Sequence, residues 1–164
     1  MLTVRLSKLV MVAGLALFAL LVAADNLADH GSNEAFVRHV LAMDTTFPQN
    51  ALRWRAVTDP GLQTAAYWLI IAAEGVTGVL FGAAALLMAV RLPAPKAEFR
   101  AATSWVAAGA TLAFALWFVG FVVVGGEWFL MWQSTTWNGQ EAAFRFYLTV
   151  LAVSAYVLLD TGEG

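Results

Sequence analysis

The side chain best placed to do chemistry is Glu74, a carboxylate inside residues 64–90, a run kept apolar by Leu69, Ile70, Ile71, Val76, Val79, Leu80 and Phe81. A charged acid at bilayer depth costs about 2.5 kcal/mol or more, so Glu74 must face protein or water, or keep its proton. Such a group carries protons, ligates ions, or makes a structural hydrogen bond. Thr77, one turn on, and Thr111, at comparable depth in the third apolar block, are the expected partners of a neutral carboxyl. Gly75, Gly78 and Gly82 offer close helix packing, Gly78 and Gly82 as a GxxxG pair.

Arg145 is the second candidate, one turn into the last apolar block. An arginine holds a carboxylate bidentately, so the expected partner is Glu127 at the end of the third block, ahead of a ligand. Glu141 lies one turn before Arg145, and reaching Glu74 would mean crossing roughly 10 Å of depth at about 1.5 Å per residue. The two histidines, His30 and His39, lie outside every apolar block, where a membrane haem would not find its axial ligands. Zinc on these histidines with Asp29 or Asp44 would lack a recognised spacing. Ser104, Ser134 and Ser154 have no nucleophile elbow, and no glycine-rich phosphate loop occurs. Neither a metal nor a cofactor is expected, and an enzyme is the last of the readings.

These residues must be held by helices in lipid. The chain has 164 residues, 61% hydrophobic and only 12% charged, about half the charged share of a soluble domain. A formal charge of -2 gives no basic field for nucleic acid. The absence of cysteine removes disulfides, thiolate nucleophiles and cysteine-bound metals.

The pattern predicts an all-α fold, a transmembrane four-helix bundle forming one domain, with a short amphipathic helix in the first outer loop. Spans are expected at 4–24, 63–91, 100–126 and 141–160, joined by an outer loop 25–62, an inner loop 92–99 and an outer loop 127–140. The first apolar run has two readings: a cleaved signal peptide, or a retained span with Lys8 snorkelling to the headgroups. The three later spans favour retention. In the first outer loop, Phe36, Val37, Val40 and Leu41 recur at helical spacing over residues 34–43, with Ser32 or Asn33 as N-cap, and this helix should lie on the membrane surface. Asp59-Pro60 should open the second span and Pro93 and Pro95 should stiffen the turn after it. The third helix can continue through the aromatic segment to Trp132, and Asn138-Gly139 marks the next reversal.

Arg5, Lys8, Arg91, Lys96 and Arg100 fall on one side and Arg38, Arg53, Arg55 and Arg145 on the other, a bias that favours both termini in the cytoplasm of a multi-pass inner-membrane protein. Trp54, Tyr67, Trp68, Trp128, Trp132 and Trp137 would then form an outer aromatic belt, with Trp105 and Tyr156 at the inner boundary.

Residues 26–50 (NLADHGSNEAFVRHVLAMDTTFPQN), the WRA after Arg53, and residues 125–146 (GGEWFLMWQSTTWNGQEAAFRF) resemble the signature of a bacterial family of predicted small integral membrane proteins, a domain of unknown function. The likeness covers nearly the whole chain, with His30 where that pattern would carry a tyrosine. It implies a four-helix inner-membrane protein without known enzymatic activity. Its distinctive residues, Asp44, Trp54, Glu127, Trp128, Trp132, Trp137, Asn138 and Arg145, collect on the expected outer face. The leading functional expectation is a non-catalytic accessory subunit bound to another membrane protein, or to its own copies, through that cap and the small-residue helix faces. A small transporter or proton-conducting element using Glu74 comes second, and a lipid- or quinone-binding protein, with Phe114, Trp117, Phe118 and Phe121 lining the cleft, third.

Overall fold

The computed structural model describes residues 2–159. Six α-helices run in chain order: α1 (Leu2–Ala28), α2 (His30–Ala42), α3 (Pro60–Val90), α4 (Lys96–Ala102), α5 (Ser104–Phe114) and α6 (Gln140–Leu158). A π-helical segment, Ala115–Trp128, continues directly from α5. Among the described residues four units are long and apolar enough to cross a membrane: α1, α3, the stretch Lys96–Trp128, and α6. The chain is thus an all-α membrane bundle. Asp160, placed in the last span by the sequence, lies outside the described residues.

The spans pack in a ring, α1 on α3, α3 on α5, α5 and the π-helical segment on α6, and α6 back on α1. Val12, Phe81, Met88, Val106 and Val150 are buried along the axis, with Ala16, Ala19, Ala84 and Ala113 between them. Lipid is as apolar as leucine, so close backbone approach rather than water exclusion holds such helices together. Antiparallel register between α1 and α3 sets Asn26 beside Glu74, Leu20 beside Gly78, and Arg5 beside Leu92. Helix α1 is therefore part of the core.

Helix starts and stops follow local chemistry. Asp59 accepts a 2.8 Å bond from the Leu62 amide with Pro60 at the first turn of α3, where the missing proline N–H costs nothing. Arg91 closes α3. Helix α2 begins after Asp29, so Ser32 and Asn33, the expected caps, sit inside it; Asn33 instead donates back to the Asp29 carbonyl. The third span is not one smooth helix: it breaks at Thr103, whose hydroxyl bonds the Arg100 carbonyl at 2.8 Å, and widens into π geometry after Phe114.

The segments that join α2 to α3 and the π-helical segment to α6 sit at one end of the bundle and close on each other as a cap. Thr45 donates to the Ser134 hydroxyl at 2.9 Å, the Phe47 amide to Gln133 Oε1 at 3.0 Å, and Arg55 to the Trp128 carbonyl at 3.3 Å. Met43, Phe129 and Leu130 form the cap's own buried cluster. At the other end Arg5 and Lys8 are buried. Lys8 does not snorkel outward; its Nζ donates to the Leu159 carbonyl at 3.1 Å.

Candidate functional site

Glu74 is 2% exposed and faces the bundle interior. The partner of its carboxylate is neither threonine singled out by the sequence. Thr77 bonds the carbonyl of Ala73, and Thr111 bonds that of Ala107 on an exposed face. Both follow the common helical habit of satisfying a hydroxyl one turn back. Asn26 supplies the contact, its amide donating to Glu74 Oε2 at 2.7 Å. The backbone carbonyl of Asn26 accepts a bond from the hydroxyl of Tyr67. Asn26 is thereby held from both ends against α3.

This register sets the height of the acid within the bundle. Glu74 lies near the middle of α3 in sequence, yet it is level with the last turn of α1 and shares a cavity with Gly139, Ala142 and Ala143 at the start of α6. It sits just beneath the cap. The cavity measures about 220 Å3 and carries Asn33, Phe36 and Val37 of α2 as its roof. Trp117, Phe121 and Phe146 make its walls, with Trp117 and Phe146 edge to face at 5.5 Å. A second space of about 180 Å3, lined entirely by apolar residues and glycines, lies between α2, α3 and the π-helical segment. Phe36, Val37, Ile70 and Phe121 border both. Wall residues of the π-helical segment recur at four- and five-residue steps, as in Leu116, Gly120 and Gly125, in keeping with the wider turn of that helix type, which is frequent at functional sites.

Helix α2 does not lie loose on a membrane surface; it is clamped to α3. Val37 packs with Tyr67 and Ile71, and the Thr64 hydroxyl donates to Glu34 Oε1 at 2.6 Å. That bond, against some desolvation and helped by Arg38 and His30, holds the Glu34 carboxyl below its usual range. A carboxyl with a depressed folded value stabilises above the unfolded value and loses its contribution as pH falls through the folded one. Amide exchange in α2 should therefore accelerate below about pH 4, and Glu34→Gln should flatten that acid response. Unchanged exchange across the acid range in the wild-type protein would refute the clamp.

The remaining sequence candidates separate into two groups. In the cap, Trp54 and Trp128 meet at 6.2 Å with the Arg55 guanidinium 4.4 Å from the Trp128 ring centre, and Trp132 meets Phe47 at 5.8 Å. Asp44 bonds His39 at 2.8 Å, and His39 stacks on Trp137 at 4.6 Å. Asn138 accepts from the Gln140 amide just ahead of α6, whose N-cap is Gly139. Arg145 and Glu127 are not brought together. Arg145 faces outward and reaches Glu141 at 3.7 Å, one turn back on its own helix, while Glu127 lines a surface groove with Arg55. An exposed pair of this kind contributes little. Of the three packing glycines, only Gly78 is in close contact: a Cβ there would meet Leu20, whereas Gly75 and Gly82 border open space.

Asn26 does not stand out in the sequence, because Asp25 reads as the end of the first span. The signal was present: Asn26 falls three and seven residues after Ala23 and Ala19, both on the buried face of α1. Arg55 likewise reads in the sequence only as a loop charge.

Fold and site together define a four-span helical membrane protein with a half-enclosed, acid-bearing cavity beneath a folded cap. The family model described as "Predicted small integral membrane protein (DUF2165)" matches residues 4–160, and the chain belongs to that family. No curated protein and no solved structure matches it.

Proposed function

We propose that the protein binds a small membrane-dissolved molecule in the cavity beside Glu74, the lipid- or quinone-binding reading. One observation carries it: a buried carboxylate with a single protein hydrogen-bond donor among the described residues borders a cavity whose other walls are mainly apolar and aromatic. Ligand sites have this character, apolar surroundings with few convergent polar groups. A carboxyl buried for packing alone would not need a cavity of this size beside it. Native mass spectrometry of protein released directly from its membrane should show a retained small-molecule adduct, lost in the cavity-filling variant Ala143→Phe. Bare protein from both would overturn the proposal.

The accessory-subunit reading is favoured by one feature, the exposed rings of the cap, with Trp54 71% exposed. Most cap aromatics are engaged with one another, which makes them a weaker docking surface than the composition alone suggested. A protein partner appearing in the same spectra without any small molecule would move the conclusion to that reading.

We further propose the inner-membrane orientation with the cap outside and both termini in the cytoplasm, from the cluster of Arg5, Lys8, Arg91, Lys96 and Arg100 at the end opposite the cap. The chain has no cysteine of its own, so single cysteines report cleanly. Thr135→Cys should react with a membrane-impermeant maleimide in intact spheroplasts and Ala97→Cys only after permeabilisation. The reverse pattern overturns the orientation.

A further inference from the structure

We infer that the ligand of this cavity is a lipophilic cation, an ammonium head held at Glu74 with its apolar part in the adjoining space between α2, α3 and the π-helical segment. The inference rests on the binding-protein reading above and adds the charge and shape of what is bound.

Charge follows from the lining. Glu74 offers a carboxylate whose Oε1 has no protein donor among the described residues, and no lysine, arginine or histidine lines the cavity to supply the missing charge. An anion would face that carboxylate unscreened. A neutral acceptor such as a carbonyl would leave the charge of the carboxylate unmatched. The aromatic rings of the lining decide between the remaining choices. Phe36, Trp117, Phe121 and Phe146 surround the space next to the acid, and the electron-rich face of a ring attracts a cation far more than it attracts an alcohol. A carboxylate combined with several aromatic walls is the chemistry by which alkylammonium groups are recognised.

Shape follows from the volumes. About 220 Å3 exceeds the space of about 150 Å3 that admits a benzene ring, enough for a trimethylammonium head and its first methylenes. A longer chain has to leave, and the apolar space of about 180 Å3 across Phe36 and Phe121 lies in its way. The ligand thus has one charged end and one apolar end, and the wide π-helical turns form a wall shared by both compartments.

The test is titration calorimetry on the full chain in nanodiscs, with empty nanodiscs subtracted, using octyltrimethylammonium, 1-octanol and octanoate as probes. After correction for bilayer partitioning, the ammonium should bind saturably and at least about tenfold more tightly than octanol, with octanoate not binding. Glu74→Gln should abolish that preference. Phe121→Leu, which keeps the acid and most of the volume, should weaken the ammonium and leave octanol unchanged, so the inference can be judged even if Glu74→Gln does not fold. Octanol binding as tightly as the ammonium would overturn the cation while leaving the cavity reading intact. No saturable binding by any probe to wild-type protein would overturn both.

Discussion

Gly78→Leu is expected to unseat α1 from α3 and to be among the most damaging single substitutions in the bundle. A Cβ built on Gly78 would lie 2.6 Å from Leu20 Cγ and 3.0 Å from the Leu20 backbone nitrogen. A flexible side-chain tip can yield to such an intrusion, but a branched carbon next to its own backbone cannot. Relief requires the helices to move apart, and α1 against α3 is the most extensive helix pair in the molecule. Overpacking of a tight seam costs about 3 kcal/mol at its upper range. The expected result is a fall of several degrees or more in the unfolding temperature, followed by tryptophan fluorescence in nanodiscs, with Asn26 drawn away from Glu74. Gly75→Ala and Gly82→Ala are the controls. Nothing lies within 4 Å of a Cβ at either position, so each should be neutral or gain roughly 0.5–1 kcal/mol from reduced backbone freedom. Equal behaviour of the three glycines would show that the seam does not depend on Gly78.

That result would also show what a small-residue pattern can and cannot convey. Gly78 and Gly82 share a spacing that reads as a packing motif, but a one-dimensional spacing does not say which neighbour arrives opposite each glycine. Leu20 arrives at Gly78, and nothing arrives at Gly82. The parts of the fold legible in the sequence were those set by local chemistry: Asp59 with Pro60 opening α3, the stop at Arg91, and the apolar face of α2 through Phe36, Val37, Val40 and Leu41. Glu74 was legible as an interior acid for the same reason, since any exposure to lipid would be costly.

Elements that depend on the third dimension were not legible. Residues 115–128 are apolar on nearly every side, so periodicity carries no information about whether the turn is α or π. The wider turns change which residues share a face, and Glu127 ends beside Arg55 rather than Arg145. Left-handed backbone is usually marked by glycine or asparagine, yet here Met43 (φ 52°) and Leu130 (φ 54°) adopt it. Both side chains are buried in the cap cluster. Their packing offsets a strain on the order of 1–3 kcal/mol per residue, a trade invisible to turn propensities. That Glu74 lies level with the last turn of α1 is not legible either, because α3 projects past the end of α1, an offset that the contacts of Asn26 with Glu74, Leu20 with Gly78 and Arg5 with Leu92 fix together.

Arg5→Ala is expected to have an effect comparable to Gly78→Leu through a different mechanism, at the opposite end of the bundle. Arg5 is 8% exposed and donates to the carbonyls of Leu92 at 2.8 Å and Ala94 at 2.6 Å, with its guanidinium 4.9 Å from the centre of the Phe99 ring. These carbonyls belong to the turn between α3 and α4, where Pro93 and Pro95 lack the N–H that every other residue offers. Hydrogen bonds from a charged donor contribute about 1.5–3 kcal/mol each, and leaving the acceptors bare adds to the cost. A loss of about 3 kcal/mol or more follows. Arg5→Lys should recover only part of it, because an ammonium on a single stem cannot span two carbonyls as the planar fork does. Limited proteolysis distinguishes this mechanism from general destabilisation: cleavage should concentrate in residues 91–95 while the cap and the Glu74 cavity stay protected. Proteolysis spread evenly over both ends, or an alanine variant as resistant as the wild-type protein, would show that Arg5 does not fasten the turn.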